Sequence, residues 1–116
     1  MKKRIAISSL AALLLFLIAG PAMAQNRAPK VLEGKVLGNG ESPLVNAVVY
    51  LQSSKDNSIR SFISTADGSY RFGQISPDID YQVWAQYHGV KSGSKTVSSF
   101  DSRKVVTIDF HIKTDK

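Results

Sequence analysis

The sequence contains no cysteine. Disulfides, thiolate nucleophiles, cysteine-ligated metals and a lipid anchor on an N-terminal cysteine are therefore excluded. Histidine is almost as scarce, with only His88 and His111. Neither lies in a motif with an acid and a nucleophile, no His-x-x-Glu pattern occurs, and zinc needs three or four convergent ligands. No metal and no cofactor is expected. No segment beyond the N-terminus carries a long apolar run, a sustained helical period, an internal repeat or a low-complexity tract. Cations outnumber acids by 15 to 9, yet after the N-terminal head the longest basic run is Arg103-Lys104. A nucleic-acid interface needs a clustered basic face, so nucleic acid is not an expected partner. The charge supports at most a weak preference for anionic surfaces or polysaccharides.

The N-terminus does carry an apolar run. Met1-Lys2-Lys3-Arg4 precedes fifteen residues from Ile5 to Ala19, followed by Gly20-Pro21-Ala22-Met23-Ala24. A basic head, a short apolar centre and a small-x-small end form a secretory signal peptide, residues 1–24, with cleavage expected before Gln25. The run is shorter than the roughly twenty residues that span a bilayer, and Gly20-Pro21 breaks it, so no membrane span is expected after cleavage. The expected location is periplasmic or extracellular. Removing Lys2, Lys3 and Arg4 takes three from the formal charge of +6 and leaves +3 on a single domain of 92 residues. A domain of that size has one core and a modest margin of stability, held here by packing and strand pairing alone.

Residues 25–30 read as a flexible lead-in, residues 31–112 as the folded domain and residues 113–116 as a tail. From Val31 the chain alternates, with Leu32, Gly34 and Val36 on one side and Glu33 and Lys35 on the other, the mark of a half-buried strand. Gly38 to Pro43 is a turn. Leu44 to Leu51 is the strongest strand, with Val45, Ala47, Val49 and Leu51 expected to face the core. A polar hairpin loop, Ser53 to Ser58, leads to a strand from Ile59 to Ser64 of uncertain phase, since Ile59 and Ile63 lie opposite Phe62. Asp67-Gly68 is a hairpin signal because glycine, and to a lesser degree aspartate, accepts positive φ. Tyr70 and Phe72 then point to one face and Arg71 to the other, with Ile75 a core plug. Tyr81, Val83, Ala85 and Tyr87 form one face of the next strand and Gln82, Trp84 and Gln86 the other. Val90 to Ser99 reads as a weak edge strand, and Val106, Ile108, Phe110 and Ile112 as the inner face of the last. Seven short strands at this spacing predict an all-β, seven-stranded antiparallel two-sheet Greek-key sandwich.

Three stretches together resemble the carboxypeptidase regulatory-like domain. They are Gly34-Lys35-Val36 leading to Pro43-Leu44-Val45-Asn46-Ala47-Val48-Val49; Thr65-Ala66-Asp67-Gly68-Ser69-Tyr70-Arg71-Phe72, which looks like the family's Thr-x-x-Gly-x-Tyr-x-Phe motif; and Tyr81-Gln82-Val83-Trp84-Ala85. The resemblance implies a prealbumin-like (transthyretin-type) sandwich and a non-catalytic accessory role on exported proteins. It makes Gly34, Pro43, Ala47, Thr65, Asp67, Gly68, Tyr70, Phe72 and Tyr81 structural motif residues. Where the family usually has a Pro-Gly-x-Tyr turn, this chain has Pro77-Asp78-Ile79-Asp80-Tyr81.

The expected function is thus an exported, non-catalytic binding or structural module, standing alone, with a protein or polysaccharide partner at the cell surface or in the periplasm. An alternative is a carbohydrate-binding module. Trp84 lies on the face away from the core between Gln82 and Gln86, where an indole could stack on a sugar while the amides bond its hydroxyls. Tyr50 also points outward, on the same sheet or the other. A plainer reading has Trp84 packed against lysine or arginine stems. A remote alternative, a transthyretin-like hydrolase, resembles this fold but carries a Tyr-Arg-Gly-Ser C-terminus where this chain has Ile112-Lys113-Thr114-Asp115-Lys116. Asp67, Asp78 and Asp80 offer oxygens that suit calcium, but turn aspartates commonly bond backbone N–H groups instead.

Overall fold

The computed structural model describes residues 28–114. The expected signal peptide and the start of the expected lead-in lie outside the described residues, as do Asp115 and Lys116. Nine strands follow one another: β1 Lys30–Leu37, β2 Val48–Ser53, β3 Ile59–Ile63, β4 Ser69–Ile75, β5 Tyr81–Tyr87, β6 Val90–Lys91, β7 Lys95–Val97, β8 Val105–Thr107 and β9 Phe110–His111. The first sheet has the order β4-β1-β8, with β9 also on β1. The second has the order β3-β2-β5-β6, with β7 also on β5. Among the described residues no helix is long and apolar enough to cross a membrane.

The sandwich follows from the period-two pattern. Leu32 and Val36 from β1, Val49 and Leu51 from β2, Tyr70, Phe72 and Ile75 from β4, and Tyr81, Val83 and Ala85 from β5 point inward and are buried. Val97, Val106, Phe110 and Ile112 complete the core. Nine strands replace the expected seven because two of the expected strands are interrupted. Val90 to Ser99 divides into β6 and β7, both antiparallel to β5. The last strand divides into β8 and β9.

Several expectations need correction. The last strand is not antiparallel, since β8 and β9 both run parallel to β1. Asp67-Gly68 is not a hairpin within one sheet. It joins β3 of the second sheet to β4 of the first, so a tight turn that accepts positive φ here changes sheets. Val45 does not face the core: it is 45% exposed, and Leu44 is buried instead. The cause is Asn46, whose φ of 66° breaks the alternation, so β2 begins only at Val48. The buried Ser64 hydroxyl spans this break, donating to the Leu44 carbonyl at 2.6 Å and accepting from the Ala47 N–H at 2.9 Å. Lys30 is not part of a flexible lead-in. It opens β1, is buried, and its Nζ donates to the Ser98 carbonyl at 3.1 Å. The phase of β3 is now defined: Phe62 turns inward, packing edge-on against Phe72 with ring centroids 6.1 Å apart, while Ile59 and Ile63 are exposed.

Candidate functional site

The two sheets present unlike outer faces. On the first, Glu33 and Lys35 of β1 lie beside Arg71 and Ser69 of β4. Here one opposite-charge pair and one backbone bond engage the acids. Arg71 stands 3.7 Å from Glu33, and the Asp109 carboxylate accepts the Lys35 N–H at 2.9 Å. A cavity of about 510 Å³ with Lys35, Phe62, Thr65 and Tyr70 in its wall opens on this side. The Tyr70 hydroxyl is already committed to the Ile108 carbonyl, at 2.6 Å.

The second sheet carries the expected site residues, and it brings them together. Register pairs Tyr50 with Trp84, Gln52 with Gln82, and Val48 with Gln86. Tyr50 and Trp84 therefore belong to the same sheet, and their rings stack with centroids 5.6 Å apart and planes inclined by 23°. Both are half-buried. On the far side of Tyr50, β3 adds Ser61 directly opposite, with Ile59 and Ile63 opposite Gln52 and Val48. These two isoleucines are 53% and 61% exposed. On the far side of Trp84, Lys91 of β6 pairs with Gln86 and places its Nζ 5.1 Å from the indole centroid. Gln82 donates to the Thr96 hydroxyl of β7 at 2.8 Å. The face thus runs from an apolar edge at β3, through an aromatic centre, to a cationic edge at β6.

Lys91 was the residue that sequence reading missed here. The signal was present. His88 and Gly89 both have positive φ, 48° and 80°, and form a two-residue hairpin turn. Such a turn pairs Tyr87 with Val90 and Gln86 with Lys91, which sets Lys91 diagonal to Trp84. The ammonium and Tyr50 approach the indole from opposite neighbouring strands. An exposed cation–π contact is worth only about 0.5–1 kcal/mol, so a ligand could displace the ammonium from the ring at small cost.

The remaining candidates serve the fold. Asp67 accepts from the Thr65 hydroxyl at 2.6 Å and from the Ser69 N–H at 3.3 Å. The Thr65 hydroxyl, followed by Ser69, holds the Asp67 carboxyl down at about 2. Asp80 accepts the Ser99 N–H at 2.6 Å, and that bond lowers its pKa. Both carboxylates bond backbone N–H groups, as turn aspartates commonly do. Pro43 bridges to Leu37, and Ala47 and Tyr81 are buried. The Tyr81 hydroxyl accepts the Ser76 N–H at 3.0 Å and so closes the departing Pro77-Asp80 turn. His111 is exposed, 3.2 Å from a Glu41 carboxylate oxygen, and His88 stacks on Tyr87. Among the described residues no group of three histidines or acids is placed to hold a metal ion.

The carboxypeptidase regulatory-like domain model matches residues 31–113. The chain belongs to this family of non-catalytic domains. No curated protein matches it. Solved structures share its fold at low identity. A major pilin subunit of Bacillus cereus, BcpA, superimposes with a TM-score of 0.59 at 12% identity, over 75% of this chain and 30% of the pilin. The dioxygenase domain of a dioxygenase–carbohydrate-binding protein fusion from a cellulolytic Streptomyces gives 0.56 at 15%, over 80% of this chain and 84% of that domain. A C-terminal fragment of the pilus adhesin SpaC from Lactobacillus rhamnosus GG gives 0.53 at 12%, over 76% and 46%. The chain thus spans under a third of the pilin and about half of the adhesin fragment.

Proposed function

We propose that this chain is an exported, non-catalytic accessory module that contacts its partner through the outer face of the five-stranded sheet, at the cell surface or in the periplasm. The observation that carries the reading is the contrast between the two outer faces. One is charged, with Arg71 set beside Glu33, while the other exposes Ile59 and Ile63 beside the Tyr50–Trp84 stack. Apolar surface gathered on one face of a small domain marks an interaction site. The signal peptide read at residues 1–24 and the likeness to pilus proteins support the cellular location.

Retention of the purified chain on insoluble cell-envelope material tests the reading. The wild type is expected to be retained. Trp84→Ala should lose retention with its melting temperature nearly unchanged, and Arg71→Ala on the other sheet should behave as wild type. Equal retention of Trp84→Ala and wild type would remove the assignment of the face.

A further inference from the structure

We propose that the ligand of this face is an acidic polysaccharide, a chain of uronic-acid sugars, read by Trp84 and Lys91 together. The inference rests on the outer face of the second sheet being the contact surface, and goes further by naming the chemistry it takes. The first observation is charge. The strands of the second sheet contain no aspartate or glutamate, while they carry Arg60, Lys91 and Lys95. Every acid among the described residues lies in the first sheet or in a connecting segment. Arg60 is turned away from the face, with its guanidinium 5.5 Å from the Phe72 ring centroid and its Nη2 donating to the Gly73 carbonyl at 3.3 Å. Lys95 pairs with the inward-facing Val83, so Lys91 is the cation that addresses the aromatic centre.

The second observation is what occupies the indole. Tyr50 stacks on Trp84 from β2, and the Lys91 ammonium lies over the ring from β6. A neutral sugar stacking on that ring face would push the ammonium aside and offer it only uncharged hydroxyl acceptors, whereas an ionised acceptor bonds it more strongly. A uronic acid offers both halves of an exchange. The C–H face of its pyranose ring takes the place of the ammonium on the indole, and its carboxylate receives the ammonium as it leaves. The charge-assisted bond is stronger than the contact it replaces. Gln86, cross-strand from Lys91, and Ser61, cross-strand from Tyr50, stand within the same patch to bond ring hydroxyls. An acidic peptide would satisfy Lys91 but brings no saturated ring to the indole. The occupant favoured by charge and shape together is thus a carboxylated sugar chain.

Trp84 is the sole tryptophan, so its emission reports directly on the site. The purified chain is titrated with hexaguluronate, with cellohexaose as the neutral counterpart and hexaglutamate as the non-sugar polyanion. Hexaguluronate is expected to change the emission saturably, and the other two are not. Lys91→Gln should weaken hexaguluronate about ten-fold or more, the loss of one charged hydrogen bond, and Lys91→Arg should retain most of the affinity. Circular dichroism melting confirms that each variant is folded. Equal binding of cellohexaose would make the site a neutral-sugar platform, and equal binding of hexaglutamate would make it a charge patch. Either result overturns the inference, as does a Lys91→Gln variant that binds like wild type. If hexaguluronate fails to bind while Trp84-dependent retention on envelope material persists, this inference falls and the contact face stands. If both fail, the face itself is wrongly assigned.

Discussion

The Tyr70 hydroxyl donates a 2.6 Å hydrogen bond to the carbonyl oxygen of Ile108, across 38 residues of sequence. The same carbonyl lies where a Cβ on Gly34 would stand. Gly34 and Tyr70 are cross-strand neighbours in β1 and β4, and Ile108 occupies the gap between β8 and β9. The Ile108 N–H also bonds the Glu33 carbonyl, at 2.9 Å. Two motif positions far apart in sequence, Gly34 and Tyr70, thus meet at one carbonyl. Glycine is required because the chain passes directly over it, and tyrosine supplies the donor to the passing, partly buried carbonyl. Burial pushes the Tyr70 phenol well above its ordinary pKa, with Asp109 adding to the effect, so it stays a donor at any working pH.

Gly34→Ala is expected to destabilise the domain by about 1–3 kcal/mol, the usual penalty of overpacking. Tyr70→Phe leaves the carbonyl unpaired and should cost about 1–2 kcal/mol. Because both changes act on one peptide, the double variant should lose less than the sum of the two. Denaturant melts of the four proteins check this, and strict additivity would show that the two residues do not share the contact.

Leu44 and Val45 are neighbours with opposite fates, 7% and 45% exposed. Leu44→Ala should cost about 2–5 kcal/mol, as expected for a truncated core side chain. Val45→Ser should stay within about 0.5 kcal/mol, as expected for the surface. A reversed order in thermal melts would contradict the register set by Asn46.

Leu44 also shows what was and was not legible in the sequence. Period-two alternation identified the inward faces of β1, β2, β4 and β5, because strand geometry converts spacing into orientation directly. It failed at Leu44 because one residue with positive φ reverses the phase, and asparagine adopts that conformation without announcing it in the pattern. Alternation also carries no information on partners. The same Val105 to Ile112 pattern fits a parallel or an antiparallel neighbour, and Asp67-Gly68 fits a turn within one sheet or between two. Of the proposed contact face, the outward placement of Trp84, Gln82 and Gln86 was legible from phase. The stacking of Tyr50 on Trp84 was not, because it depends on which strands pair.

Phe72 sits where the two sheets close on each other. Phe62 packs on it edge-on and the Arg60 guanidinium lies 5.5 Å from its ring centroid. Phe72→Ala is expected to cost about 3–5 kcal/mol, which approaches the whole margin of a small domain. A melting temperature unchanged by the substitution would contradict the buried position.

The Thr65–Asp67 contact links the turn between sheets to pH. The Asp67 carboxyl titrates at about 2 against an ordinary 3.8. A depressed folded pKa means that the contact's contribution is fully present above about pH 4 and is lost as pH falls toward 2. Thr65→Val removes the leading cause and should return the Asp67 carboxyl toward its ordinary value. Carboxyl NMR titration reads this directly. An Asp67 pKa unmoved in Thr65→Val would assign the depression to Ser69 instead.

Gly68 and Gly89 separate backbone strain from crowding. Both have φ of +80°, but a Cβ on Gly68 would come within 2.8 Å of the Val36 carbonyl oxygen and 3.1 Å of Pro43, whereas one on Gly89 would meet nothing within 4 Å. Alanine at Gly89 therefore carries only the left-handed penalty, about 1–2 kcal/mol. Alanine at Gly68 carries the same penalty and also crowds the Val36–Gly68 backbone hydrogen bond, at 2.8 Å, that joins the turn to β1, and the Leu44–Val36 bond, at 3.0 Å, that joins the segment before β2 to β1. Gly68→Ala should therefore be clearly the more damaging of the pair, and Gly68→Val worse still, with binding lost only as a consequence of unfolding. Parallel chemical melts of Gly68→Ala and Gly89→Ala decide the point. Equal losses would mean that the turn yields freely and that its contact with β1 contributes little.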